Sequence, residues 1–175
     1  IVLLDEAYFE YASQFDEYPD SMDYRYDNVI TLRTFSKAQG LAGFRVGYGF
    51  ANEKLISNLM KVKLPFEPSS LGQHAACAAM DDFKHLESSI KLNNEQKVRL
   101  EVFFEKNNFN YIPSATNFIT LKFTDEENAY NFTQKMLHKG VILRHLIGFG
   151  LPNCVRVTIG LEQENDYLIK NIKEL

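Results

Sequence analysis

A carboxylate at the end of one apolar strand and an amine just past a second strand are the residues of this sequence best placed to do chemistry. Ile1-Val2-Leu3-Leu4 leads straight into Asp5-Glu6, with Tyr8 three residues after Asp5. Val29 to Phe35 reads as a second strand, followed at once by Ser36-Lys37. Unbroken apolar runs suit parallel strands covered on both faces, and an open α/β sheet binds ligands beyond the carboxyl ends of its strands. A carboxylate and an amine placed there could face one ligand. Taken singly, each has a plainer use, Asp5 capping a turn and Lys37 as a solvated surface charge. Asp5-Glu6 after an apolar strand also has the shape of a Walker B segment, whose acids serve Mg²⁺ and water. That chemistry needs a GxxxxGK[ST] phosphate loop, and these 175 residues contain none.

The joint pattern is more specific. Asp5-Glu6-Ala7-Tyr8, Leu32-Arg33-Thr34-Phe35-Ser36-Lys37-Ala38 and Gly40-Leu41-Ala42-Gly43-Phe44-Arg45-Val46-Gly47-Tyr48 occur in this order. They are followed by Lys61-Val62-Lys63-Leu64-Pro65-Phe66, Pro113-Ser114-x-x-Asn117-Phe118 and Gly150-Leu151-Pro152-Asn153-Cys154-Val155-Arg156-Val157-Thr158-Ile159-Gly160. Together they resemble the pyridoxal-phosphate aminotransferases of fold type I, and within them the histidinol-phosphate branch. The resemblance runs through essentially the whole chain. Its most specific part is Thr-Phe-Ser-Lys with an Arg eight residues after the Lys.

That resemblance implies roles that chemistry can check. Lys37 would be the catalytic residue that links covalently to the cofactor, and its amine must be neutral to attack. Asp5 would pair with the pyridine nitrogen and keep it protonated, which makes the ring an electron sink. Tyr8 would donate a hydrogen bond to the ring 3′-oxygen. Thr34, Ser36 and Arg45 would hold the cofactor phosphate, two hydroxyls and a guanidinium being suited to a dianion. Arg33, pointing to the other side of an alternating strand, is read as structural. Arg156 alternates with Val155 and Val157, and an arginine held inside such a strand is costly unless paired. By resemblance Arg156 would clamp the substrate α-carboxylate, and Arg144, twelve residues earlier, would meet a substrate phosphate. Asn117 is either a further substrate contact or a polar group at a strand start. Gln39 replaces the aromatic or apolar residue usual after the lysine segment, and Leu161 replaces a usual Thr. These departures bear on substrate preference rather than on the cofactor.

These residues need elements to hold them. The expected fold is α/β, a fold type I PLP-dependent transferase, comprising a partial large-domain sheet (residues 1–84) and a small α+β C-terminal domain (85–175). Residues 10–28 are acidic and tyrosine-rich and read as a long loop with one helical turn. Phe44 to Ala51 reads as a third strand, with Gly47 and Gly49 marking close backbone approach. Asn52 and Ser69 or Ser70 are helix N-caps. The first of these helices carries Leu55, Ile56, Leu59 and Met60 on one face, and the second carries Ala75, Ala76, Ala78 and Ala79 for close packing. Residues 84–107 read as one long polar helix between domains, with Leu86, Ile90, Val98 and Val102 on its buried side. Asn117 to Phe123 alternates as a half-covered strand. Thr124-x-x-Glu127 has the form of a capping box for a helix ending before Gly140. Val141 to Arg144 and Cys154 to Ile159 read as two further strands, and a last helix buries Leu168, Ile169 and Ile172.

Composition removes other classes. Net charge is −4 with scattered Lys and Arg, which is no nucleic-acid footprint. The apolar runs are too short to span a bilayer. The two cysteines, Cys77 and Cys154, lie far apart and the four histidines show no metal-ligand spacing. A reducing cytoplasm is the expected compartment and no metal is expected. The resemblance implies transamination between histidinol phosphate and 2-oxoglutarate, with pyridoxal 5′-phosphate as cofactor and a homodimer in the full-length protein. Its rivals are an aromatic-amino-acid aminotransferase, a threonine-phosphate decarboxylase, and the aminotransferase-like effector domain of a transcription regulator. The chain starts inside an apolar run without Met, so it is expected to be a piece of a longer protein and inactive alone.

Overall fold

The computed structural model describes residues 1–24 and 26–175, which form two compact units, Ile1–Ile90 and Lys91–Leu175. Residue 25, within the loop expected over 10–28, lies outside the described residues. In the first unit β1 (Val2–Asp5) is followed by a one-turn helix α1 (Phe9–Ala12), then by β2 (Val29–Thr34) and β3 (Gly47–Ala51). The sheet order is β1-β2-β3, with β1 and β2 parallel and β3 antiparallel to β2. The parallel pairing fits the unbroken apolar run of residues 1–4. β1 has only β2 beside it among the described residues, and Leu3 is 66% exposed.

The third strand begins at Gly47 rather than Phe44, since Ala42–Phe44 form a 3-10 turn and Arg45 takes a left-handed backbone conformation. Gly47 has the close approach its type implied: a Cβ there would stand 2.8 Å from the Arg33 carbonyl oxygen. Helices α2 (Glu53–Val62) and α3 (Ser70–Asp81) start at Asn52 and Ser69, whose side chains accept from the amides of Lys54 and Gly72. Ala76 of α3 is buried in a small cluster with Phe35 and Val46.

Helix α4 (Phe83–Lys106) runs from the first unit into the second. Its buried side is not the expected one. Val98 and Val102 are exposed, and Asn93, Gln96, Lys97, Leu100, Phe103 and Phe104 are buried instead. The polar members of that face are occupied. Asn93 donates to the Thr116 carbonyl at 3.2 Å, Lys97 to the Ser114 carbonyl at 3.0 Å, and Gln96 accepts from Asn165 at 3.1 Å.

The second unit continues with β4 (Asn110–Ile112), β5 (Phe118–Lys122), α5 (Glu126–His138), β6 (Arg144–His145), β7 (Cys154–Thr158) and α6 (Glu162–Lys173). Its sheet order is β4-β5-β7-β6, with all pairs antiparallel. Ile119, Leu121, Val155 and Val157 line a core shared with Leu100, Phe104, Met136, Leu168 and Ile172. Strand β4 has no clear alternation and is not anticipated from sequence. The N-cap of α5 is Asp125, which accepts from the Asn128 amide at 2.8 Å, rather than Thr124. Strand β6 covers only the end of the run expected over 141–144. Gly140, at φ +79°, ends α5 as expected.

Candidate functional site

Topology collects six of the candidate residues at one edge of the first sheet. Asp5 is in register with Leu32, and Gly47 lies opposite Thr34. The carboxyl ends of β1 and β2 and the start of β3 therefore meet, carrying Asp5, Tyr8, Thr34, Ser36, Lys37 and Arg45. Asp5 Oδ1 accepts from the Ala7 amide at 3.0 Å, which turns the chain toward Tyr8 and leaves Oδ2 for another partner. The Thr34 hydroxyl accepts from the Ser36 amide at 3.1 Å, so it shapes the loop while its own proton stays available. That loop closes with Gly40 donating to the Lys37 carbonyl at 2.9 Å and Leu41 to the Phe35 carbonyl at 2.8 Å. Gly40 sits at φ +73°, where a side chain would strain the turn.

Half-buried Lys37 holds its amine 5.1 Å over the Tyr8 ring, with no ion pair among the described residues. Arg45 is exposed at φ +53° and donates to the Ala42 carbonyl at 3.0 Å. A non-glycine residue held there costs about 1–3 kcal/mol, and such conformations cluster at ligand clamps. The edge thus offers a carboxylate, a phenol and an uncommitted amine on one side, and hydroxyls with a guanidinium on the other. That set can hold a carbonyl compound bearing an anionic group.

Beneath this edge lies an ion-pair network. Arg33 donates from Nε to Glu6 Oε2 at 2.8 Å and from a terminal nitrogen to Asp20 at 2.7 Å, and its guanidinium stacks 3.3 Å over the Phe9 ring. Burial lowers the Arg33 pKa, but hydrogen bonds to Glu6 and Asp20 more than offset this and raise it. Arg33 is therefore structural, as its place in the strand implied. Glu6 is 3% exposed and committed to Arg33, which leaves the Walker B reading without its second acid. Among the described residues no group of His, Cys, Asp and Glu is placed to hold a metal ion.

In the second unit Arg156 on β7 lies between Thr120 on β5 and Arg144 on β6. Residues directly opposite share a face, so Arg144 and Arg156 are cross-strand neighbours on one face. Arg156 is half-buried, its Nε has no hydrogen-bond partner among the described residues, and its guanidinium lies 5.2 Å from the Phe118 ring centroid. Neither arginine has a carboxylate within ion-pair distance among the described residues. Both line a groove of about 570 Å³ with Thr133, Gln134 and Thr158. Asn117, just before β5, accepts from the Ile159 amide at 2.9 Å through its carbonyl, and its side chain has no hydrogen-bond partner among the described residues. His145 instead bonds the Pro152 carbonyl and packs on Tyr130. Two crowded cations without an acid form a place for an anion.

Sequence reasoning missed the pairing of Gln39 with Glu10, at 3.0 Å. The only signal was Gln39 itself, a polar residue where an apolar one is usual.

Known proteins match along the same length. Residues 1–172 match the family described as aminotransferase class I and II. A histidinol-phosphate aminotransferase 1 of Bacillus cereus is 41% identical over 177 aligned positions, covering 100% of this chain and 47% of the relative. A histidinol-phosphate aminotransferase 2 of Pseudomonas aeruginosa is 43% identical over 172, covering 97% of this chain and 46% of the relative. The crystal structure of histidinol-phosphate aminotransferase from Sinorhizobium meliloti, in complex with pyridoxal-5′-phosphate, superposes with a TM-score of 0.90 at 29% identity, over 99% of this chain and 48% of that one. The chain spans about half the length of the curated relatives it matches.

Proposed function

This chain belongs to the aminotransferase class I and II family and has its fold type I architecture, and on that premise we propose that it is part of a PLP-dependent aminotransferase acting on histidinol phosphate and 2-oxoglutarate in histidine biosynthesis. Residues 1–84 would be the C-terminal part of the large domain and 85–175 the small domain. The observation that carries the reading is Lys37, an amine without an ion-pair partner among the described residues, over the Tyr8 ring at the edge that also bears Asp5, Ser36 and Arg45.

The donor set fits pyridoxal phosphate. Ser36 and Arg45, with the Thr34 hydroxyl, would hold its phosphate, Asp5 its pyridine nitrogen, and Tyr8 its 3′-oxygen. The strained backbone of Arg45 is what a phosphate clamp would justify. When bound, the cofactor supplies an aldehyde that condenses with amines and a ring that accepts an electron pair. Lys37 Nζ, as a free amine, would take the proton from the substrate carbon bearing the amino group and pass it to the carbon of the cofactor's aldehyde group, the transfer that transamination requires. Asp5 keeps the pyridine nitrogen protonated. Arg156 binds the α-carboxylate of glutamate or 2-oxoglutarate, Arg144 the phosphate of histidinol phosphate, and Asn117 lines the substrate side. A homodimer in the cytoplasm completes the proposal. Among the described residues no helix is long and apolar enough to cross a membrane.

The test is borohydride reduction of the intact, cofactor-loaded protein followed by peptide mass spectrometry. The adduct is expected on Lys37. Lys37→Ala should remove it and lower turnover by at least about 10²- to 10⁴-fold, the usual contribution of a general base. A reducible adduct on a different lysine would overturn the assignment. Release of CO₂ from a phosphorylated amino acid would replace transamination by decarboxylation.

A further inference from the structure

The segment carrying Asp5 and Tyr8 is tied to the segment carrying Lys37 at two places, one on each side. On the strand side, Arg33 holds Glu6 at 2.8 Å and covers Phe9 at 3.3 Å. On the far side, Gln39 Nε2 donates to Glu10 Oε1 at 3.0 Å. Tyr8 lies between the two anchors on its segment, and Lys37 lies between the two on the other. Glu10 is only 8% exposed, so its carboxylate depends on that amide donor. Gln39 shows the same commitment in reverse. Its Oε1 is buried with no hydrogen-bond partner among the described residues, a cost an apolar side chain would avoid. What the amide gains there is the bond to Glu10.

Resting on the reading of Lys37 as the cofactor-linking residue, we propose that Glu10 and Gln39 are positioning residues whose hydrogen bond, opposite the Glu6–Arg33 pair, fixes where Lys37 stands over Tyr8. The Lys37 loop is also held by Ala38, 2% exposed, and by the Thr34 hydroxyl on the Ser36 amide. Its neighbours Phe35 and Val46 belong to a small core cluster, and the loop itself closes through its own backbone bonds. A polar clip two residues beyond Lys37 therefore limits how far the amine can swing, which matters when an approach error of about 1 Å can cost 10²-fold in rate.

The experiment compares Gln39→Leu, Glu10→Gln and Glu10→Leu/Gln39→Leu in the intact protein. In the cofactor-free form, amide exchange of residues 36–41 should speed up about tenfold in Gln39→Leu, the scale of losing a hydrogen bond to a charged group. Exchange in β2 should not change. Glu10→Gln keeps an acceptor for the Gln39 amide and should stay near the native rate. In the loaded form, Gln39→Leu should lower kcat with KM unchanged and shift the visible band of the lysine-bound cofactor, whereas Glu10→Gln should leave both at their native values. Should Gln39→Leu misfold because Glu10 is stranded, the double variant removes both polar groups, and it should fold yet show the same fast exchange. Native exchange and a native visible band in Gln39→Leu would overturn the proposal, as would Glu10→Gln behaving like Gln39→Leu. Borohydride labelling of a different lysine would defeat the functional reading instead, leaving the exchange result standing.

Discussion

Arg33 in the first unit and Arg156 in the second both sit in strands, yet the fold treats them in opposite ways. Arg33 has Glu6 and Asp20 as partners and Phe9 beneath its plane. Arg156 has a buried Nε with no hydrogen-bond partner among the described residues and a second cation, Arg144, opposite it. A guanidinium with Nε and a terminal nitrogen on buried or half-buried carboxylates fastens chain to chain. One with a buried donor left unsatisfied carries a cost that a bound anion would offset. The two units differ in their cores as well. The second packs Leu100, Phe104, Ile119, Leu121, Met136, Val155 and Val157 into a fully buried cluster. The first gathers Phe35, Val46 and Ala76 and leaves Phe66 95% exposed. Where apolar burial is thin, the polar clips matter more.

The largest effects should follow that division. Arg33→Met strands the Glu6 carboxylate and should destabilise the first unit by about 3–5 kcal/mol, the usual result of removing one partner of a buried pair. Phe104→Ala should cost the second unit a comparable amount, about 3–5 kcal/mol, through a cavity. Amide exchange resolved by peptide in the intact protein would locate each loss. Equal loss in both units from either variant would show that they do not hold together by separate means.

Next in size are the two arginines of the groove, Arg156 and Arg144. Arg156→Met should leave the melting temperature unchanged or raise it, since it removes an orphaned donor and a like-charge neighbour. It should nevertheless weaken glutamate and 2-oxoglutarate by about 2–5 kcal/mol, the range for truncating one partner of a buried charge pair. Arg144→Ala should instead weaken histidinol phosphate more than an uncharged aromatic donor. Equal losses on both donors would favour an aromatic-amino-acid aminotransferase.

Much of this was legible in the sequence, and the failures have a common cause. Strand ends and caps are local, so β2, α2 and α3 begin where Val29, Asn52 and Ser69 say they should. The face that α4 buries is not local. Val98 and Val102 have the right type, but the neighbours offer hydrogen-bonding partners, and Asn93, Gln96 and Lys97 turn inward to meet Thr116, Asn165 and Ser114. Asp125 displaces Thr124 as a cap because both are competent and only the chain's path decides between them. For the site, residue types and order marked Lys37, Asp5 and Arg45. The Glu10–Gln39 bond spans 29 positions of sequence and had no pattern to announce it.

The smallest expected effect separates the two acids on Arg33. Glu6 is buried, whereas Asp20 has a side chain 40% exposed to solvent. Solvent screening therefore limits the Asp20 bond to less than about 1 kcal/mol, so Asp20→Asn should be mild where Arg33→Met is severe. Asp20 also leaves a mark in pH. Its carboxylate accepts from the Met22 amide and, secondarily, from Arg33, and these outweigh a desolvation that acts the other way, so its pKa is held below the ordinary 3.8. A carboxyl depressed in the folded state binds its proton less readily there than in the unfolded chain. Its contribution is thus fully present above about pH 4 and is lost as pH falls through the lower, folded value. Denaturation of the native protein and of Asp20→Asn should differ by a constant amount from pH 7 down to about pH 4, and the two should converge below it. A difference that persisted unchanged well below that point would mean that Asp20 acts through something other than its charge. Arg33 would then rest on Glu6 and Phe9 alone.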